Sequence, residues 1–498
     1  MNRLLLLSVF VIATCGLIYE LVAGALASYL LGDSVTQFST VIGAYLFSMG
    51  IGSFLSKYVH RNLITTFIRV EILIGLVGGF SAAGLFVLFE MVTAFKVILY
   101  GQVAITGILV GLEIPLLMRI LKDEFEFKDL VSNIFTFDYI GALLASILFP
   151  LVLVPHLGLV RTSLMFGILN VAVALWSVQV FREKIRAVGL LRTAAVAALL
   201  ALALGFAYGE RILSFAEGQS YPGNVVFAKS SPYQRIVLSR GRDHFRLYLN
   251  GNLQFDSRDE YRYHEALVHP GLAAVKGAEN VLVLGGGDGM AVREILKYPS
   301  VEHVTLVDLD AEVTKLFTSR PELMDMNDSA LTHPKVEVIH ADAFSWLREC
   351  HQRFDFVTVD FPDPSNYSVG KLYSLSFYQE LDRVMGEGAV AVIQSTSPYV
   401  APLSYWCVDA TLREAGFLTV PYHAYVPSFG EWGYIMAMHR PWEISEKYPA
   451  GLRFVNAETV AQMLHFPPDM LRDHVEVNRL NNQALVNYFE AEWGKYEE

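Results

Sequence analysis

The chain has 498 residues, 53% hydrophobic and 18% charged, which is room for a membrane bundle and a soluble domain with its own core. A formal net charge of −12 argues against a nucleic-acid partner, which would want a basic face, and suits a cationic substrate. Three widely spaced cysteines, Cys15, Cys350 and Cys407, supply neither a disulfide framework nor a metal-ligand pattern, so no metal is expected.

Nearly all of the first 208 residues are apolar, and runs of spanning length recur seven times. They cover Leu4–Leu31, Phe38–Leu55, Ile68–Phe89, Val97–Leu117, Phe135–Val154, Leu164–Val180 and Val188–Tyr208, each near the roughly 20 residues that a bilayer core requires. Further spans follow the first at once, so it reads as a retained helix rather than a cleaved leader. The expectation for 1–209 is an all-α, multi-pass bundle of about seven transmembrane helices, embedded in the lipid bilayer of the cell membrane. Basic residues gather before the first span (Arg3) and after the second (Lys57, Arg61), fourth (Arg119, Lys122, Lys128) and sixth (Arg182, Lys184, Arg186). The opposite loops hold little beyond Lys96 and Arg161. Charge counting by itself places the N-terminus in the cytoplasm and, with seven crossings, the C-terminal half on the far side, but the side that carries the C-terminal half is left open. Glu20, Glu71, Glu113 and Asp138 lie at apparent membrane depth, where they are expected to pair with Arg69, Arg119 or backbone groups and fix helix packing. Gly24–Ser28 and Gly75–Gly79 are small enough for close helix contacts.

After Tyr208 the hydropathy falls. Residues 210–270 alternate in short runs, with a turn at Asn250-Gly251, and predict a small antiparallel β unit. Residues 271–440 alternate strand and helix. The β-branched runs begin at Val281, Val304, Val336, Phe356 and Ala389, and the pattern predicts a Rossmann-like, doubly wound α/β domain of the methyltransferase type. The polar stretch 441–498 reads as a helical tail.

Ligands of such a sheet sit at the carboxyl ends of its strands, and acids recur there. The first strand runs into Gly285-Gly-Gly-Asp288-Gly289, a turn that lets a ligand approach the backbone. Asp308 ends the second strand, where an acid can bind ribose hydroxyls, and Asp342 ends the third, placed for an adenine amino group. A pyrophosphate, or the carboxylate of S-adenosylmethionine, would meet a like charge at Asp288, whereas the amine of the decarboxylated form would be attracted. The fourth strand ends in Asp360-Phe-Pro-Asp363-Pro-Ser-Asn, a stiff acidic loop. Joining a sulfonium to a polyamine brings cations together, and the attacking amine, with a pKa near 10, must lose a proton. Asp360 is the expected base and Asp363 an anchor for the acceptor.

The blocks Ser231-Pro-Tyr-Gln234, Tyr261-Arg-Tyr-His264-Glu265, Gly285-Gly-Gly-Asp-Gly, Val307-Asp308, Asp342-Ala and Asp360-Phe-Pro-Asp-Pro follow one another as in spermidine synthases. The similarity spans roughly 225–440, and with the seven-span N-terminus it resembles that family's membrane-bound branch. The resemblance implies an aminopropyltransferase that uses decarboxylated S-adenosylmethionine and a diamine or polyamine acceptor such as putrescine, and it allows a homodimer. It implies that Gln234, Asp308 and Asp342 hold the nucleoside at the Gly285 turn, and that His264 and Asp288 hold the aminopropyl amine. Tyr263, Asp360, Asp363 and Gln394 would face the acceptor. The chain departs from the family at Gly289-Met290, where a second glycine is usual. It departs again at Val426-Pro427-Ser428, where the family often has a tyrosine and this chain has Tyr425 one position earlier. Two other readings are an S-adenosylmethionine methyltransferase on the same sheet and a polyamine transporter or sensor whose soluble half only binds.

Overall fold

The computed structural model describes the backbone of residues 2–31, 34–92, 94–122 and 126–497, which falls into two compact units, Met1–Pro232 and Tyr233–Glu498. Unit one comprises helices α1 (Asn2–Leu31), α2 (Ser34–Ser56), α3 (Leu63–Gly79), α4 (Ser81–Met91), α5 (Phe95–Leu121), α6 (Phe127–Leu148), α7 (Val154–Val180) and α8 (Val188–Ser220), followed by strand β1 (Asn224–Ser230). Among the described residues, six helical stretches are long and apolar enough to cross a membrane. The count differs from seven because the expected fifth and sixth spans lie in one helical run, Phe127–Val180. That run passes through a π-helical turn at Phe149–Leu153 and breaks at Gly158, whose φ of 70° and ψ of 175° are not helical. The break falls between the two expected spans.

Helices α2 and α5 approach backbone to backbone. A Cβ on Gly52 would lie 2.0 Å from the Ile108 carbonyl oxygen, and one on Gly111 would lie 2.1 Å from that of Met49. Gly75, read from sequence as a contact residue, meets the Gly167 carbonyl of α7 in the same way, at 2.8 Å. The buried acids pair differently from the arginine pairing anticipated. The Arg119 guanidinium donates to the carbonyls of Ser56 and Val59, at 2.9 and 2.7 Å. Glu71 and Glu113 instead share the side-chain amide of Asn170, at 3.0 and 3.4 Å.

Unit two opens with an antiparallel meander, β2 (Arg235–Arg240), β3 (Phe245–Leu249) and β4 (Asn252–Asp256). Its second turn uses Asn250 and Gly251, both at positive φ (51° and 86°), as a two-residue hairpin requires. Helix α9 (Glu260–Leu272) follows. The main sheet has the order β10-β11-β9-β8-β5-β6-β7. Its parallel part is β5 (Asn280–Gly285), β6 (His303–Asp308), β7 (Val336–His340), β8 (Phe354–Asp360) and β9 (Met385–Gln394), all five of them runs read from the sequence. Strands β5, β6 and β8 are buried along most of their length and therefore read as continuous apolar stretches, whereas β7, at the sheet edge, exposes Glu337 and His340. An antiparallel hairpin, β10 (Leu418–Val426) and β11 (Gly430–Met438), completes the sheet and was not anticipated. Pro421 makes β10 look like a loop; the strand lies at the sheet edge, where proline is tolerated.

Among the described residues, the stretch expected as a helical tail contains helix at Ala457–Met463 and Ala484–Glu497 and a 3₁₀ turn at Pro468–Met470, with irregular chain between them. The buried carboxylate of Glu265 on α9 accepts the backbone N–H groups of Arg453, Phe454 and Val455 at 2.8–2.9 Å. Those amides are thereby withdrawn from any helical ladder. The order of strands reverses on either side of β5, which has β6 on one side and β8 on the other. The crevice above that point is where this architecture binds ligands.

Candidate active site

The turn after β5 is built around what it touches. Gly285, Gly286 and Gly289 have φ of 81°, 66° and 78°, a region that other residues enter at a cost. A Cβ on Gly285 would lie 2.2 Å from the Asp360 carbonyl oxygen, and one on Gly287 would lie 2.7 Å from Asp308 Oδ2. The glycines thus admit β6 and β8 to the turn and bring two strand-end carboxylates against it. Met290, where the family pattern has a second glycine, is fully buried and packs inward.

Asp308 is fixed by backbone donors. Its Oδ2 accepts from the Gly287 N–H at 3.0 Å and its Oδ1 from that of Asp310 at 2.8 Å. Burial raises its pKa to about 6 despite these bonds. Gln234 donates to Asp310 Oδ2 at 2.9 Å, which sets it beside the Asp308 loop. Asp342 caps the helix Ala343–Glu349 through the Ser345 N–H and accepts Lys371 Nζ at 2.7 Å. Burial acts against ionisation here, but Lys371 and Ser345 hold the carboxyl below its ordinary value. An adenine amino group would share this carboxylate with Lys371.

Asp288 accepts the Met290 N–H at 2.9 Å, and its pKa is raised by burial and by Asp360 while His264 opposes the rise. Asp360 ends β8 and its Oδ1 accepts the Tyr263 hydroxyl at 2.5 Å. Burial raises its pKa too, against His264 and Tyr263. Tyr263 and His264 are both buried side chains of α9, so the helix delivers a phenol to Asp360 and an imidazole to the field of Asp288 and Asp360.

Asp363 is held by Thr396 Oγ1 at 3.3 Å and by Gln394 Nε2 at 3.4 Å. Gln394, expected to face the acceptor, has its polar atoms engaged within the protein. Its Nε2 also donates to Phe361 O at 2.6 Å and Tyr373 Oη at 3.2 Å, while its Oε1 accepts the Thr396 N–H at 3.0 Å. It therefore braces the acidic loop. Thr396 was missed in the sequence: it is buried at φ 57°, an outlier for a β-branched residue, and this conformation directs its hydroxyl to Asp363. Tyr425 stays 53% exposed while Val426 is buried, so a shift of one position sends the tyrosine to the other face of β10. Aromatic rings line Tyr263 in its place: Phe429 at 6.0 Å and Tyr434 at 5.6 Å between ring centroids, with Trp432 5.0 Å beyond Phe429. Acids thus follow the ends of four strands, β5, β6, β7 and β8, and aromatic rings surround the tyrosine that donates to the last of them.

Comparison with known proteins gives a match to the spermine/spermidine synthase domain over residues 260–447. Polyamine aminopropyltransferase 2 of Ralstonia nicotianae is 55% identical over 504 residues, covering 99% of this chain and 98% of that protein. The polyamine aminopropyltransferase of Leptospira interrogans is 52% identical over 495 residues, covering 99% of each. Among solved structures, spermidine synthase from Thermotoga maritima matches 54% of this chain and 88% of its own at 23% identity, with a TM-score of 0.45.

If the acidic loop anchors a dication, binding should depend on pH. Burial raises the pKa of Asp363 to about 7 against the hydrogen bonds from Gln394 and Thr396, so its charge develops as pH rises through neutrality. An alkyldiamine stays protonated over that range, because its pKa is near 10. Calorimetric titration with putrescine should therefore give tighter binding at pH 8 than at pH 6, by up to roughly tenfold. Asp363→Asn should flatten the dependence and bind like the unmodified protein at pH 6. Equal affinities at the two pH values in the unmodified protein would count against Asp363 as the anchor.

Proposed function

The chain belongs to the polyamine aminopropyltransferase family, and from that premise we propose that it transfers the aminopropyl group of decarboxylated S-adenosylmethionine to a diamine such as putrescine, yielding spermidine and methylthioadenosine. The observation that carries this reading is the set of carboxylates Asp288, Asp360 and Asp363, which the Met290 N–H, Tyr263, Thr396 and Gln394 hold in defined positions.

In this reading Gln234, Asp308 and Asp342 hold the nucleoside, with the Gly285 turn against it. Asp288 and His264 hold the aminopropyl amine. Asp363 anchors the far ammonium of the acceptor, and the rings of Tyr263, Phe429 and Trp432 cover its methylenes. The near amine attacks the aminopropyl carbon bonded to sulfur. The carbon–sulfur bond breaks, its electron pair stays on sulfur to give a neutral thioether, and the amine proton passes to Asp360. The Tyr263 hydroxyl occupies Oδ1 of Asp360 and leaves Oδ2 to take that proton. A methyltransferase would have to bring a carboxylate up to Asp288. A binding-only sensor would have no use for a base beside a sulfonium.

The long apolar helices of unit one support a multi-pass protein of the cell membrane. Fractionation tests this: the full chain should stay with the membrane pellet through an alkaline carbonate wash and be released by detergent. Release by carbonate alone would remove the membrane from the proposal.

Mass spectrometry after incubation with decarboxylated S-adenosylmethionine and a panel of diamines should find one aminopropylated product and an equal amount of methylthioadenosine. Asp360→Asn keeps the size of the side chain but cannot take the proton, so kcat should fall on the order of 10²–10⁴-fold. Affinity for the co-substrate should barely change. Near-normal kcat at neutral pH in this variant would move the base to Asp363 or to water.

A further inference from the structure

Glu260 has no part in the reading so far, yet it is the residue on which His264 rests. It opens α9 one helical turn before His264. Its Oε2 lies 2.9 Å from His264 Nδ1, and its own carbonyl oxygen lies 2.8 Å from the same nitrogen. Both partners can only accept, so Nδ1 carries a hydrogen and Nε2 is the nitrogen whose state can vary. Arg293 holds the Glu260 carboxylate with both terminal nitrogens, at 3.1 and 2.9 Å, and is itself held by Glu294 at 2.9 Å and the Met326 carbonyl at 2.7 Å. Glu260 and His264 are buried, at 5% and 2% exposure, so the pair is a fixed part of the protein and not a surface contact.

The charged groups acting on the imidazole come from three places. Glu260 acts from its own helix with Arg293 behind it, Asp288 from the turn after β5, and Asp360 from the end of β8. The Tyr263 ring stands edge-on at 5.0 Å. Burial alone would lower the imidazole pKa, but the Glu260 hydrogen bond and then Asp288 raise it to about 9, so the free protein carries an imidazolium at neutral pH. An imidazolium facing an ammonium would repel it, whereas a bare Nε2 would accept a hydrogen bond from it.

We propose that Glu260 is a positioning residue for aminopropyl transfer: it holds the Nδ1–H of His264 so that Nε2 faces the co-substrate amine, and Nε2 releases its proton to solvent when that amine binds. Around His264 one proton is then exchanged for one ammonium, while the sulfonium of the co-substrate brings a second charge of its own. This rests on the reading that places the aminopropyl amine beside His264 and Asp288.

The test is calorimetry on the full-length protein in detergent, run at about pH 7.5 in buffers of different ionisation heat so that proton release is counted directly. Decarboxylated S-adenosylmethionine should release close to one proton, fading as pH rises past about 9, and methylthioadenosine, which lacks the amine, should release close to none. Glu260→Gln keeps an oxygen for Nδ1–H but removes the charge. It should cut the release at that pH to less than about a quarter and leave methylthioadenosine affinity unchanged. Glu260→Leu loses the oxygen as well and should raise the co-substrate KM by roughly tenfold or more, an effect that Glu260→Gln largely avoids. Normal binding of the decarboxylated co-substrate by the unmodified protein with no proton released would overturn this inference alone, and so would unchanged release in Glu260→Gln. Failure of that co-substrate to bind any tighter than methylthioadenosine would overturn the placement of the amine and this inference with it.

Discussion

Carboxylates gathered in one crevice repel one another, and the active half of this protein is arranged to hold them there. Asp308 and Asp360 reach the turn after β5 only because glycines admit them, with the Asp360 carbonyl oxygen 2.2 Å from where a Gly285 Cβ would be. Asp288 leaves that same turn and shares its surroundings with Asp360 and His264. Each acid is tied by a donor that its own backbone does not supply: Gly287 for Asp308, Tyr263 for Asp360, Thr396 for Asp363. Burial raises the pKa of all four, and a polycation bound in the crevice, as proposed, would relieve the repulsion among them.

The positions of these acids were legible in the sequence because each follows a β-branched run that ends abruptly, and a parallel sheet puts all such ends on one edge. What holds them was less legible. Glu260 and His264 are an i, i+4 pair on a helix, a spacing shared by any solvated face, and nothing in the sequence marks it as buried. Thr396 acts through a positive φ that only coordinates reveal. Gln394 could be placed at the end of β9, but the direction of its amide could not be read, and it turns into the loop. The β10–β11 hairpin escaped notice because an edge strand with a proline lacks the apolar continuity of the inner strands.

In the helical unit, hydropathy located the helices well and their breaks poorly. The π turn at Phe149–Leu153 and the reversal of φ at Gly158 sit inside one long apolar run, where composition hardly changes. The polar groups there satisfy one another more than they recruit arginines, with Asn170 donating to both Glu71 and Glu113. Arg119 is spent on open carbonyls at Ser56 and Val59, a use that charge pairing alone would not suggest.

In the proposed function the crevice selects charge, with Asp288 attracting an amine where S-adenosylmethionine would present a carboxylate. A like or opposite unit charge at about 4 Å changes the interaction by roughly 4 kcal/mol at an intermediate dielectric, and partial exposure to solvent reduces this. Calorimetric titration of the unmodified protein with the two sulfonium compounds measures the difference directly. Decarboxylated S-adenosylmethionine should bind at least about tenfold more tightly than S-adenosylmethionine, and Asp288→Asn should narrow the gap. Equal affinities for the two compounds in the unmodified protein would contradict the proposal.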